Sequence, residues 1–318
     1  MACCINFKYI GKKIFISKSY KAYLSLMHTL FYYHLVASIV HISSFVFLVQ
    51  LAPQENETGY QLVVPYATYT DGIASYMYSE VFGKISIATV LLINEAVTAI
   101  SHLVGLLGFA LYRQRMVEDQ RHLEIVRRYV EYAVTAALLE VVIYLLVGGQ
   151  DANLLLAIVL TNIVIQVLGY MLERTQNVQR QVYLNLSAFA LLMVPIVSLL
   201  TSGLQDELFV GISVYYSILY MLFGLHSLLH ILSEGWRGFV DKDAGFIVLG
   251  IVAKEILTWM VVALQAKVLG DKVDAANIGK YVDIDALLVW LPLGGILTAV
   301  VAIVVSSRFS IQDGYETI

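Results

Sequence analysis

Eight stretches of this chain stay apolar for about twenty residues, the length a helix needs to cross a bilayer's hydrocarbon core. They fall at about 22–51, 85–112, 128–148, 152–173, 182–202, 207–232, 244–266 and 285–306. Charged residues gather between them, and most connections are short, so consecutive helices are expected to pack as neighbours. The exception is 52–84, where alternating runs such as 60-YQLVVPYATYT-70, bounded by glycine and proline, predict a small β-hairpin or ribbon. The pattern predicts an all-α polytopic membrane protein with that ribbon in its first long loop. Composition agrees: of 318 residues 59 % are hydrophobic and 14 % charged, where soluble domains run near a quarter charged.

Charge placement sets the orientation. The first 21 residues hold Lys8, Lys12, Lys13, Lys18 and Lys21 and no acid. They precede a stretch too long for the apolar region of a signal peptide, which predicts a retained first span. With that end in the cytoplasm, 15 of the 20 Lys and Arg residues fall inside. Lys84, Lys267, Lys272 and Lys280 fall outside, and Lys254 remains within a span. That is the positive-inside bias. The eighth stretch, 286-ALLVWLPLGGILTAVVAIVV-305, returns the C-terminus to the cytoplasm if it inserts. The expected organisation is a basic cytoplasmic segment 1–21, a bundle of seven helices over 22–268 with the extracellular loop 52–84, and a segment 269–318 carrying an extracellular connection, the eighth span and a cytoplasmic tail. The run 113-RQRMVEDQRHLEIVRR-128 reads as a solvated cytoplasmic loop.

Several chemistries are set aside on the same page. Cys3 and Cys4, the only cysteines, cannot build a disulfide framework, and no Cys/His spacing suggests a metal site. Beside the basic N-terminus that pair is a palmitoylation candidate, and Asn56-Glu57-Thr58 is a glycosylation sequon on the outer side. No phosphate-cradling glycine loop or catalytic triad is present, so neither an enzyme nor a nucleic-acid partner is expected. Gly105 and Gly108 sit inside the second span and read as close helix packing.

The chemistry lies in ionisable residues within the spans. Lys254 sits ten residues into 244-AGFIVLGIVAKEILTWMVVAL-264, about 15 Å deep at ~1.5 Å per residue. An ammonium there costs at least ~2.5–3.5 kcal/mol and is kept only if something pairs or removes the charge. Glu131 lies about a turn deep, His34 about 18 Å and His102 about 15 Å from the cytoplasmic side, and all three can meet Lys254 in one layer on that half. Glu95 lies seven residues before His102, and His41 seven after His34, so two polar stripes would line a common seam. Glu140 is nine residues past Glu131, half a turn round, and cannot share its face. Glu255, next to Lys254, projects about 100° away toward a neighbouring helix or a second subunit.

Two runs, 127-RRYVEYAVTAALL-139 and 246-FIVLGIVAKEILTW-259, resemble the heliorhodopsins, rhodopsins of inverted orientation. Arg128-Tyr129-Val130-Glu131-Tyr132 stands where that family has Arg-Trp-x-Glu-Tyr. Gly250-Ile251-Val252-Ala253-Lys254, with Trp259 five residues on, stands where it has Ser-Leu-Val-Ala-Lys and a following tryptophan. The likeness extends through 152–174, Pro195, Tyr33-His34 and Ser101-His102, over about residues 20–266. It implies that Lys254 binds all-trans-retinal covalently as a Schiff base with Glu131 as counterion. It implies a polar cavity at His34 and His102, and a polyene pocket at Asn162, Ile165, Gly169 and Pro195, with Phe223, Leu225, Gly250 and Trp259 nearby. A homodimer in the lipid bilayer, and a signalling partner on the cytoplasmic face, are further implications; Gly169 and Ala157 are small residues that would permit the dimer.

The chain departs from the family pattern in ways that matter. Gly250 replaces a serine, Tyr129 a tryptophan and Gly224 an asparagine, while Glu95, Glu140, His226, His230 and the eighth stretch are additions. The leading expectation is a light-absorbing photoreceptor. Its rival is a light-gated proton or ion conductor with Glu95 and Glu140 as extra acceptors. A third reading, a transporter or scaffold with Lys254 salt-bridged to Glu131 and no chromophore, would give a colourless protein.

Overall fold

The computed structural model describes residues 30–49, 60–70, 73–111, 117–203, 207–239 and 241–269. Its helices are α1 (Leu30–Val49), α2 (Ile87–Leu111), α3 (Val117–Leu146), α4 (Ala152–Arg174), α5 (Val178–Gly203), α6 (Glu207–Leu232), the short α7 (Glu234–Phe239) and α8 (Lys242–Leu269). Seven of these are long and apolar enough to cross a membrane. Between α1 and α2, strands β1 (Tyr60–Thr70) and β2 (Ile73–Ile85) pair antiparallel, with Thr70 opposite Ile73 and a register shift between Gln61 and Val63. The eighth stretch, the two cysteines and the Asn56 sequon lie outside the described residues.

Consecutive helices from α2 to α6 pack as neighbours, and α8 packs on α6 and α3. The ring closes where Leu30 and Ala37 of α1 bury against Ala244 and Ile247 of α8. Membrane logic shows in which residues face where. On α4 the exposed side chains include Leu156, Leu160, Val164, Val167 and Met171, while Asn162 is buried. Arg128, Glu131, Glu140, Glu95, His34, His41 and Lys254 are all buried too. A water-soluble fold inverts that arrangement; hydrocarbon permits it, because exposed polar groups would go unsatisfied there. The lysine helix is the most enclosed span, with 78 % of its apolar window buried against 17 % for α4.

The α3–α4 connection shows why one loop can be so short. Gly148 takes a positive φ of 84°, which glycine adopts at no steric cost. Asp151 then caps α4, accepting from the backbone N–H of Asn153 and Leu154 at 2.8 and 3.2 Å. The Tyr144 hydroxyl donates to the Asp151 carbonyl and accepts its N–H, both at 3.1 Å.

The reading of 113–128 as a solvated loop is corrected. Helix α3 begins at Val117, and Glu124 and Arg128 are buried. Arg128 donates to Asp243 at the start of α8 and to Glu173 on α4 at 3.0 Å, while Lys242 reaches Glu173 at 2.9 Å. Mixed charge looked like solvation in one dimension; in three, Arg128 meets opposite charges from two other helices.

Removing one partner of a buried ion pair leaves an uncompensated charge and costs about 3–5 kcal/mol. Asp243→Ala is therefore expected to lower the thermal unfolding midpoint in detergent markedly. Glu234→Ala, whose side chain is 96 % exposed, should change stability by less than about 0.5 kcal/mol.

Candidate functional site

On α8, Lys254 lies 5 % exposed at the centre of the bundle. Its Nζ donates to Glu131 Oε1 on α3 at 2.5 Å and to Thr98 Oγ1 on α2 at 3.2 Å, and it stands 5.0 Å from the Tyr132 ring centroid. Glu131's other oxygen accepts from Ser101 Oγ and Arg127 Nη1, both at 2.6 Å. Arg127 also forks onto Glu124, with Nε at 2.9 Å and Nη2 at 2.6 Å from its two oxygens. Lys254, Glu131, Arg127 and Glu124 thus alternate in sign. The local cause is helical: 124, 127 and 131 are three and four residues apart on one face of α3.

A row of imidazoles continues from this quartet. His34 Nδ1 and His102 Nδ1 are 2.8 Å apart, so one must donate and the other accept. His34 Nε2 lies 3.3 Å from Glu124, and His102 Nε2 lies 4.0 Å from Glu131. His41 stacks on His102 with centroids 5.9 Å apart and rings nearly parallel, and its Nδ1 lies 2.6 Å from Glu95 and 2.9 Å from Glu255. The seven-residue spacings on α1 and α2 put these groups on facing stripes. Gly105 makes the approach possible, since a Cβ there would stand 3.0 Å from the His34 ring.

On the far side of Tyr132 lies a cavity of about 950 Å³, its open side included. Its wall includes Lys254, Tyr132, Ile165, Gly169, Tyr220, Phe223 and Gly224. At Gly169 and Gly224 an added Cβ would come within 2.4 Å of the Tyr129 ring and 2.5 Å of the Phe189 ring. Both rings lie back against bare helix backbone, and the space this frees is the cavity. An amine in one wall and aromatic and aliphatic side chains on the others fit an elongated apolar aldehyde.

Other expectations need correction. Asn162 bonds at 3.5 Å to the Ala133 carbonyl and accepts from Gln166 at 3.3 Å, tying α4 to α3 rather than facing the cavity. Neither Pro195 nor Trp259 lies on the cavity wall; Trp259 Nε1 donates to Glu255 at 3.1 Å and its ring meets Phe47 edge-on. Leu225 is 45 % exposed and points away. Gly169 faces Tyr129. Gly250 opens onto Tyr132, whose hydroxyl would stand 2.8 Å from an added Cβ and donates to the Phe246 carbonyl at 2.8 Å. Glu140 stands off the imidazole row: it accepts from Tyr216 in the α3–α6 contact. His226 and His230 form a separate edge-to-face pair, with His226 Nε2 3.1 Å from the Lys242 carbonyl.

Sequence reasoning missed Glu124, Arg127, Ser101 and Thr98. The three-and-four spacing of 124, 127 and 131 was the available signal, hidden by the placement of a loop over it.

Seven membrane-length helices, a lysine buried mid-span against a carboxylate and an apolar cavity beside it define a rhodopsin-like integral membrane protein. The heliorhodopsin family model matches residues 30–265, and the chain belongs to that family. Membership implies a retinal-binding, light-sensing rhodopsin. No curated protein matches the chain.

The glycines provide a paired test. Gly169→Ala drives a methyl into Tyr129 and is expected to destabilise by about 1–3 kcal/mol through overpacking. Gly108→Ala meets nothing within 4 Å and is expected to stabilise α2 by up to about 1 kcal/mol. Thermal unfolding of the two variants should move in opposite directions.

Proposed function

We propose that this protein is a photoreceptor that holds all-trans-retinal covalently, as a Schiff base on Lys254, with Glu131 as its counterion. The observation that carries the reading is the 2.5 Å contact between Lys254 and Glu131 in the wall of an aromatic cavity. Bound retinal supplies a visible chromophore whose attached nitrogen bears positive charge and whose shape changes on absorbing light. The protein's part is electrostatic and steric. Ser101 and Arg127 hold one oxygen of Glu131 and so aim the other at Lys254. Thr98 offers that nitrogen a second acceptor. Tyr132, Ile165, Gly169 and Phe223 shape the apolar space. The pairing of Glu131 with Arg127 lets its charge stay compensated when its bond to position 254 is weakened, so hydrogen bonds can rearrange toward His102. The positive-inside bias supports a cytoplasmic N-terminus, and we further propose a homodimer that signals through its cytoplasmic face.

One observation favours the conducting alternative enough to state it. Glu124, His34, His102, His41 and Glu95 make a row of titratable groups alongside Lys254, in polar contact at every step except the ring stack of His102 on His41. A proton path would follow that row through Glu95, leaving Glu140 aside.

Purified protein given all-trans-retinal should absorb in the visible, and Lys254→Ala should remove that absorption entirely. A colourless wild type would defeat the reading. Glu131→Gln should displace the band, because the anion's field on the nitrogen sets the excitation energy; an unmoved band would take Glu131 out of the counterion role.

Under voltage clamp, the conducting alternative expects a light-driven current that Glu95→Gln abolishes and Glu140→Gln leaves unchanged. No current from wild type would end that alternative.

A further inference from the structure

We propose that His41 on α1, Glu95 on α2 and Glu255 on α8 form a binding site for one divalent transition-metal ion, best matched by Zn²⁺. The site stands apart from the chromophore reading, since none of its ligands lines the cavity. One nitrogen and one oxygen from each carboxylate come within 4.8 Å of one another. The side chains of His41 and Glu95 are 0 % exposed and that of Glu255 is 13 % exposed.

The cluster holds more acceptors than donors. His41 Nδ1 carries at most one hydrogen, yet Glu95 Oε2 lies 2.6 Å and Glu255 Oε1 2.9 Å from it. Glu95 takes that hydrogen bond, and buried Glu255 Oε1 is left without one. Charge is short by the same amount. Even a fully protonated imidazole leaves two carboxylates with one cation, while Lys254 and Arg127 are already matched by Glu131 and Glu124. A divalent ion bound by neutral His41 and both carboxylates makes the cluster neutral, the state that burial in low dielectric favours.

The surrounding hydrogen bonds aim the ligands. Ser44 Oγ and Trp259 Nε1 donate to Glu255 Oε2 at 2.6 and 3.1 Å, leaving Oε1 turned inward. Thr258 Oγ1 and Asn94 Nδ2 donate to Glu95 Oε1 at 2.8 and 3.2 Å, leaving Oε2 turned inward. Outer donors of this kind, which fix the free oxygen of both carboxylates, are a usual support of a metal site, while His41 Nε2 has no hydrogen-bond partner among the described residues. One imidazole and two carboxylates, with a fourth position left for water, suit Zn²⁺ at bonds of about 2.0–2.2 Å. Calcium would want six or more oxygens. Opening the ligand atoms to tetrahedral separations takes side-chain shifts on the order of half an ångström.

Titration calorimetry of the full chain in nanodiscs with ZnCl₂ tests the site, with or without retinal. One equivalent should bind wild type. His41→Asn and Glu255→Gln should each weaken it by more than about 100-fold, and Ser44→Ala by about 10–100-fold, the cost of a lost outer hydrogen bond. His34→Asn should leave it unchanged. Equal affinity in Glu255→Gln, or no binding to wild type at millimolar Zn²⁺, overturns the proposal. Zinc-edge X-ray absorption on wild type decides independently of any variant's folding. A single imidazole with oxygen neighbours supports the site; two imidazoles would put the ion at His34 and His102 and overturn it.

Discussion

A cation buried at mid-membrane is tolerable only beside an anion, and the meeting of Lys254 with Glu131 constrains the rest of the bundle. It fixes α8 against α3 at a depth where neither charge can be hydrated. Glu131 in turn is held by Arg127, which needs Glu124, which reaches His34 on α1. Three helices are thereby registered by alternating charge. Burying such a set is costly in desolvation, and its members are worth keeping for position more than for net stability. The apolar surface outside contributes little preference for one register over another, since lipid and leucine are much alike.

Three polar systems share the bundle. The alternating quartet is balanced in charge, and the Arg128, Asp243, Glu173 and Lys242 set nearer the start of α8 is balanced as well. The cluster at His41 is not. Neutrality in the first two makes them structural anchors that resist change. The surplus of acceptors in the third makes it the place where a proton or a cation has the most to gain.

Much of the fold was legible in the chain because hydrocarbon imposes a simple rule of length and apolarity, and seven of the expected spans are helices of the right extent. The lysine and its carboxylate were legible for the opposite reason: charge inside such a stretch is conspicuous. Stripes at seven-residue spacing also read correctly, since that period returns to one helix face. What could not be read were relations among helices. Arg128 looked solvated because its partners lie on α4 and α8. Asn162 and Gly169 share a face of α4 two turns apart, but only Gly169 meets the cavity; the cavity's extent along the helix decides that, and no local spacing announces it. The cluster of His41, Glu95 and Glu255 draws each ligand from a different span, so no local spacing could announce it.

Tyr132 joins features that were met separately. Its ring stands over Lys254 and meets Phe223 edge-on, and its hydroxyl holds the carbonyl of Phe246, two turns before Lys254 on the same helix. Phe246 in turn lies under the Arg128 guanidinium, 4.5 Å from ring centroid to charge. One phenol thus touches the buried amine at one end and reaches, through Phe246, the ion network at the start of α8. Glycine at 250 leaves the Tyr132 hydroxyl room to lie against the backbone of α8, so one side chain joins the buried amine to the bundle's rim.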